Sequence, residues 1–432
     1  MAMVVKTNIG SVRALNTLNK NSKALSKSLE KVSTGLKIVG AKDGASEYAI
    51  TERMLSRVRA LDQANANTQN GSALLKTAEG ALSSTIDILK TLKEKAINSA
   101  NDTNTETDRK IIQKEINQLI DQIDENANVT YNGKYLLDGT KNFQGIATKS
   151  VYINLKLATD TTGDTAFSDL RDRAGHHIGI QANDTILAYI MQAPGGTVLT
   201  TQGDKAVKSL QVDPGYFPET EEASIKTIVG TNYGGNDVTT PDDQNALVLE
   251  TKDTGSANQI TSVSIRVLDS EGKIKTNATE MLNNFFEAIQ AQDASEDNAL
   301  TIHMGAKSNE TVKIGIRDMR AKALGLRSEL GNNINVVEKE RTETSIATID
   351  TALSRALNQQ ADIGAFQSRF EHTISNISIE TENVQNAESV FRDADMAKEM
   401  TEYTKNNVLL QAAQSMLAQS NQNASAVLSL LQ

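Results

Sequence analysis

The sequence has no cysteine, no tryptophan, four prolines, and aromatic residues at only 4% of its 432 positions. Without cysteine there is no disulfide framework, thiolate metal site or cysteine nucleophile. Such a chain also suits export in an unfolded state, since it cannot form crosslinks on the way. Scarce aromatics argue against one large globular core, which draws much of its buried area from Phe, Tyr and Trp. Narrow helical seams of Leu, Ile, Val and Ala fit better. Pro194, Pro214, Pro218 and Pro241 all fall in the centre, leaving 193 residues before them and 191 after them proline-free. Those flanks are free to run as long helices. No apolar run approaches the roughly 20 residues that span a bilayer, so membrane insertion is not expected. The N-terminus lacks the apolar stretch of a secretory signal, which taken alone reads as cytoplasmic.

What the chain does have is room for about three domains of ~150 residues and an uneven charge. The net is −10, yet residues 1–42 hold eight Lys/Arg against one acid, and residues 146–298 hold 22 acids against 11 bases. An acidic balance argues against nucleic acid as a partner, because phosphate binding needs a basic patch. An acidic, proline-bearing middle between a basic head and a proline-free tail reads as a solvated outer domain on a helical base.

The flanks carry seams. Leu18, Leu25 and Val32 repeat at one heptad position, and Leu15, Leu29 and Leu36 at another that Ser22 interrupts. This two-in-seven stripe has the width of a coiled-coil contact. A second helix follows with Met54, Val58, Leu61, Leu75, Ala78, Leu82 and Leu89 on one face, and a third with Ile112, Ile116, Leu119 and Ile123. Asn132-Gly133 between β-prone residues signals a hairpin. From about 144 to 298 the composition turns to Thr, Gly, Asp and Val. This predicts a mixed α/β domain with a helix over 278–292. Alternation at 300–304 and 310–316 predicts two strands, and the helical pattern then holds to the end. Ile363, Phe370, Ile377, Val384 and Phe391 recur every seventh residue, beside Phe366 and Ile374. After a phase break at 392–395, with Asp395 as the expected N-cap, a new seam runs Met396, Tyr403, Leu410, Leu417, Ala424, Leu431, and Leu428 belongs to the same apolar tip. Helices of roughly 30–50 residues extend about 45–75 Å and are marginal alone. The two ends are therefore expected to pair antiparallel and to complete their burial on neighbouring copies.

At this point the sequence resembles bacterial flagellin. The resemblance rests on Ser33-Thr34-Gly35-Leu36-Lys37-Ile38, Ala41-Lys42-Asp43-Gly44-Ala45, Ala78-Glu79-Gly80-Ala81-Leu82 and Asn98-Ser99-Ala100-Asn101 at the front. At the back it rests on Arg392-Asp393-Ala394-Asp395-Met396-Ala397 and Met416-Leu417-Ala418-Gln419-Ser420-Asn421-Gln422. It covers about 140 residues at one end and 130 at the other; the middle resembles no named family. The resemblance implies a mainly α fold of coiled-coil-like helical bundles made from both ends together, with small hairpins and an inserted mixed α/β variable domain. Residues 1–42 with 396–432 would form an inner tube, 43–144 with 299–395 a helical outer tube, and 145–298 the surface-exposed domain. The implied function is a structural subunit of the flagellar filament, outside the cell, exported unfolded by the flagellar type III apparatus. Implied partners are other copies, the cap and hook-associated proteins and an export chaperone. The implied export route reverses the cytoplasmic reading. The nearest alternatives are a hook–filament junction protein, or an adhesin exported by the same route and acting through the middle.

The resemblance also implies a Toll-like receptor contact on the helix before Asn98-Ser99-Ala100-Asn101. There the family's Arg and Leu are replaced by Thr91 and Lys95 while its Glu is kept as Glu115, so weak activation is expected. No enzyme, cofactor or metal is expected. The adjacent pair His176-His177 cannot share a helix face, and neither Gly195-Gly196 nor Gly234-Gly235 has the Lys-Ser/Thr that follows a phosphate loop. The faces left over at the C-terminus, with Ala412, Ala413, Ser415 and Gln419, are expected to meet other subunits.

Overall fold

The computed structural model describes residues 9–161, 164–192, 197–207, 225–251, 253–256, 259–327 and 331–430. In chain order it holds α1 (Ile9–Thr34), α2 (Ala45–Ala100), α3 (Glu106–Ala127), β1 (Thr130–Tyr131), β2 (Lys134–Tyr135), β3 (Val151–Asn154), β4 (Thr185–Gln192), β5 (Thr197–Gln202), β6 (Ile225–Lys226), β7 (Ile228–Thr231), β8 (Asp237–Thr239), β9 (Ala246–Glu250) and β10 (Ile260–Leu268). There follow α4 (Thr276–Leu282), β11 (Phe285–Ile289), β12 (Leu300–His303), β13 (Thr311–Ile314), α5 (Ala321–Leu324), α6 (Lys339–Arg392) and α7 (Met396–Leu430). Contacts divide the chain into two units: Met1–Thr68 with His303–Glu310 and His372–Gln432, and Gln69–Ile302 with Thr311–Glu371. Each contains parts of both proline-free flanks.

In the first unit α1 pairs with α7, and the start of α2 packs on the end of α6. Leu61 and Ala64 meet Ile377 there, with Val384 and Ala306 packed against them. Arg57 pairs with Glu380 at 2.5 Å beside this contact. The seven-residue repeat thus buries Ile377 and half-buries Val384, but Phe391 at its end is exposed.

In the second unit the later part of α2 buries Leu75, Ala78, Leu82 and Leu89, while α3 buries Ile116, Ile120 and Ile123. A reciprocal capping box starts α3: Thr105 accepts from the Asp108 N–H, and the Asp108 carboxylate accepts from the Thr105 N–H. Such a cap satisfies two orphan donors at once. Asn132 (φ 50°) and Gly133 (φ 74°) turn the β1–β2 hairpin, the left-handed pair that a two-residue loop requires.

The middle is strand-rich. One sheet runs β10-β4-β5 and another β11-β3-β9-β6, all antiparallel. Strand β3 is buried at every position, because successive side chains enter two different cores. Tyr152 joins Leu247, Leu249, Ile186 and Ile265 on one face; Val151 and Ile153 join Val248, Val229 and Ile289 on the other. Burial pushes the Tyr152 phenol far up, and its hydroxyl donates towards the Ile260 and Thr261 carbonyls.

One sequence expectation fails here. The helix expected over 278–292 stops at Leu282, and Phe285–Ile289 is strand β11, paired with β3. The apolar run was ambiguous between the two periods. Asn283 ends the helix, and an open edge of β3 supplies the hydrogen bonds that make the remainder a strand.

Candidate assembly surface

The α1–α7 pair is antiparallel, with a register tied by side chains along its length. Ser11 donates to Asn421 (2.9 Å), Asn21 to the Leu409 carbonyl (3.0 Å), Asn406 to Ser28 (2.9 Å), and Lys31 pairs with Glu399 (3.2 Å). The inward residues of α1 are Ser11, Ala14, Leu18, Asn21, Leu25, Ser28 and Val32, alternating three and four apart. Those of α7 are Glu399, Tyr403, Asn406, Leu410, Ala413, Leu417 and Ser420. One heptad position on each helix is apolar and the other is small or polar. Polar residues at such positions specify register and weaken the pair.

This arrangement redistributes the expected seam. Leu18, Leu25, Val32, Tyr403, Leu410 and Leu417 are half-buried between the two helices. Leu15 and Leu29, expected at the second seam position, lie one residue off it and remain 46% and 51% exposed. Met396 is exposed as well. Leu36 lies beyond the end of α1. The side chain of Leu428, with Leu431, lies outside the described residues. The expectation for the outer face is corrected at Ala413. Ala413 is buried within the subunit, whereas the outer surface of the pair carries Val12, Leu15, Leu29, Met400, Val408, Leu409 and Met416; Ala412, Ser415 and Gln419 are exposed among them. The physical reason is the position Ala413 takes: it shares one inward heptad position of α7 with Glu399, Asn406 and Ser420, where a small side chain lets the backbones approach, while Tyr403, Leu410 and Leu417 fill the other.

Both helices break at one level. Gly35, with φ 72°, ends α1 and returns its N–H to the Lys31 carbonyl at 2.8 Å. The next residue, Leu36, bridges Asp393: the Lys37 N–H donates to the Arg392 carbonyl (2.7 Å) and the Ala394 N–H to that of Gly35 (2.9 Å). Asp395 then caps α7, accepting from the Ala397 and Lys398 N–H groups at 3.0 and 3.2 Å. Near this joint the nearly buried Asp43 pairs with Lys27 at 2.8 Å and accepts from the Val39 N–H. The Lys27 hydrogen bond outweighs burial and holds the Asp43 carboxyl below its ordinary value. A carboxyl depressed on folding stabilises above its unfolded pKa, ~3.9 for aspartate, and that stability is lost as pH falls through the folded value. Acidification through that window should therefore raise hydrogen exchange over residues 37–44, and Asp43→Asn should flatten the dependence. An unchanged acid profile in the variant would refute the assignment.

Thr91 and Lys95 on α2 and Glu115 on α3 are brought together in part. Lys95 Nζ lies 2.7 Å from Glu115 Oε1, while the Thr91 hydroxyl donates to the Asp87 carbonyl of its own helix. Among the described residues no group of three or more His, Asp or Glu is placed to hold a metal ion. His176 lies against Asp172, and Gly234-Gly235 occupies the β7–β8 turn, where Asn232 caps the Gly234 and Asn236 N–H groups. The pair Gly195-Gly196 lies outside the described residues.

The two ends thus meet in a long helix pair whose seam alternates apolar with small or polar positions and whose flanks carry exposed apolar side chains, the mark of a mainly helical protein joined end to end. Residues 5–142 match the bacterial flagellin N-terminal helical region, and residues 346–431 the bacterial flagellin C-terminal helical region. Relatives align along the entire length. A flagellin of Clostridium tyrobutyricum is 34% identical over 97% of this chain and 99% of its own. Flagellin B of Vibrio anguillarum is 30% identical over 100% of both chains, and the flagellin of Bacillus subtilis 29% over 99% and 100%. The chain belongs to the bacterial flagellin family, and it is a structural subunit of the flagellar filament, which lies outside the cell.

Proposed function

We propose that this chain polymerises through the flanks of the α1–α7 pair, with residues 1–42 and 396–432 as an inner tube, 43–144 and 299–395 as an outer tube, and 145–298 facing the medium. The observation that carries this reading is the exposure of large apolar side chains on both terminal helices after they have paired. An apolar surface on more than one side of a helix is expected where further helices will cover it. The acidic, strand-rich middle is suited to solvent. Export through the flagellar type III apparatus, an export chaperone on the C-terminal helix, and the cap and hook-associated proteins complete the partners. Full-length protein and a chain lacking residues 418–432, each added to filament seeds, provide the test. The truncated chain should stay soluble and fail to elongate; elongation at the full-length rate would end the proposal.

Receptor contact is the second part of this reading. Lys95 neutralises the one family-like acid, Glu115, and Thr91 offers no guanidinium. A cell reporter should respond weakly to pure monomer, and Thr91→Arg with Lys95→Leu should raise the response. Strong stimulation by the unmodified protein would contradict it.

A further inference from the structure

The dipeptide Asn-Gly occurs at Asn70-Gly71 and at Asn132-Gly133, and the fold treats the two differently. Asn70-Gly71 lies in the interior of α2. There each amide N–H is committed to the carbonyl four residues earlier. Gly71 is also sealed: a Cβ at that position would meet the Phe370 ring at 2.8 Å and Ile302 at 3.4 Å. Asn132-Gly133 occupies the tip of the β1–β2 hairpin, whose ladder closes at Tyr131↔Lys134 and leaves both residues outside it. Both are exposed, and nothing lies within 4 Å of where a Gly133 Cβ would stand. The strands beneath are two residues each, so distorting the tip disturbs few hydrogen bonds.

We propose that Asn132 is a site of spontaneous covalent modification, in which the Gly133 backbone nitrogen converts the Asn132 carboxamide to a succinimide and then to an acid. The Gly133 nitrogen bonds to Asn132 Cγ, the Cγ–Nδ2 bond breaks, and ammonia leaves with the proton of the Gly133 amide. Water then opens the ring at either carbonyl, giving aspartate or isoaspartate at position 132. Glycine is the residue whose nitrogen is least shielded for this attack, having no side chain. Asparagine, whose carboxamide is the group attacked, counts among the thermolabile residues. Either product adds a negative charge beside Lys134. The isoaspartate form also inserts a methylene into the main chain of a two-residue loop, whose dihedrals are tightly specified. The Thr130↔Tyr135 register is then lost.

The test follows the full-length native protein in mildly alkaline buffer by peptide-resolved mass spectrometry, with an isoaspartate-specific methyl-acceptor assay in parallel. The same chain kept in denaturant serves as reference. Conversion in the folded protein should be at least an order of magnitude faster at Asn132 than at Asn70, and the two should converge in denaturant. Asn132→Ser should remove most of the isoaspartate signal. Equal conversion at both sites in the folded protein would overturn the proposal. So would an intact Asn132 in the folded protein while the denatured chain converts.

Discussion

Replacing Leu15 and Leu29 together by aspartate should leave the purified subunit folded and abolish seeded filament growth. Both side chains are about half exposed in the isolated chain, and surface substitutions of this kind shift stability by about 0.5 kcal/mol or less. In a neighbour's contact the balance reverses. Burying a leucine contributes about 1.5–3 kcal/mol, and an aspartate there is a charge withdrawn from water without a partner. Two such losses recur at every subunit along a polymer. Leu25→Asp provides the contrast, because Leu25 faces α7 within the chain. That variant should lose terminal helicity already as a monomer, read by circular dichroism, whereas the Leu15/Leu29 variant should match the parent spectrum. Filaments forming from the double variant at the parental rate would place the subunit contact elsewhere.

Arg355→Met should destabilise the second unit by about 3–5 kcal/mol, the usual consequence of stranding one member of a buried ion pair. The side chains of Arg355 and Glu287 are 8% and 13% exposed. The guanidinium engages both carboxylate oxygens, donates to the Ala323 carbonyl at 3.0 Å, and faces the side-chain amide of the buried Gln259. It therefore ties α6 to β11 and to α5. Deleting it leaves the buried Glu287 carboxyl without its partner, next to Tyr152, whose ionisation Glu287 already opposes. Chemical denaturation followed by circular dichroism should show the lowered midpoint, and Arg355→Met with Glu287→Leu should recover most of it. Removing both partners of a buried pair is often nearly neutral. A single variant as stable as the parent would show that the pair adds nothing.

Much of the helical part was legible beforehand, for a physical reason. Seven-residue repeats such as Leu18–Leu25–Val32 and Tyr403–Leu410–Leu417 record a contact made at every second turn, and spacing along the sequence alone reveals it. The Asn132-Gly133 hairpin and the Asp395 cap were legible too, since their backbone angles and orphan N–H groups demand particular residues. The segment at 285–289 was not, because a short apolar run fits a helix or a strand until a partner strand is present. Nor could the second seam position be read. Leu15 and Leu29 look like better core residues than Ala14, Asn21 and Ser28, and a pattern of hydrophobicity cannot weigh side-chain size against helix separation.

What the sequence by itself determined is the set of local choices: where the long terminal helices run, which turns need glycine, and that both ends carry a heptad stripe. These depend on neighbours within a few residues. Which leucines are spent inside the subunit and which remain outside was decided only by the tertiary structure. That depends on the rotation of α1 against α7, which Ser11–Asn421, Asn21–Leu409, Ser28–Asn406 and Lys31–Glu399 hold in place across nearly the whole length of the chain.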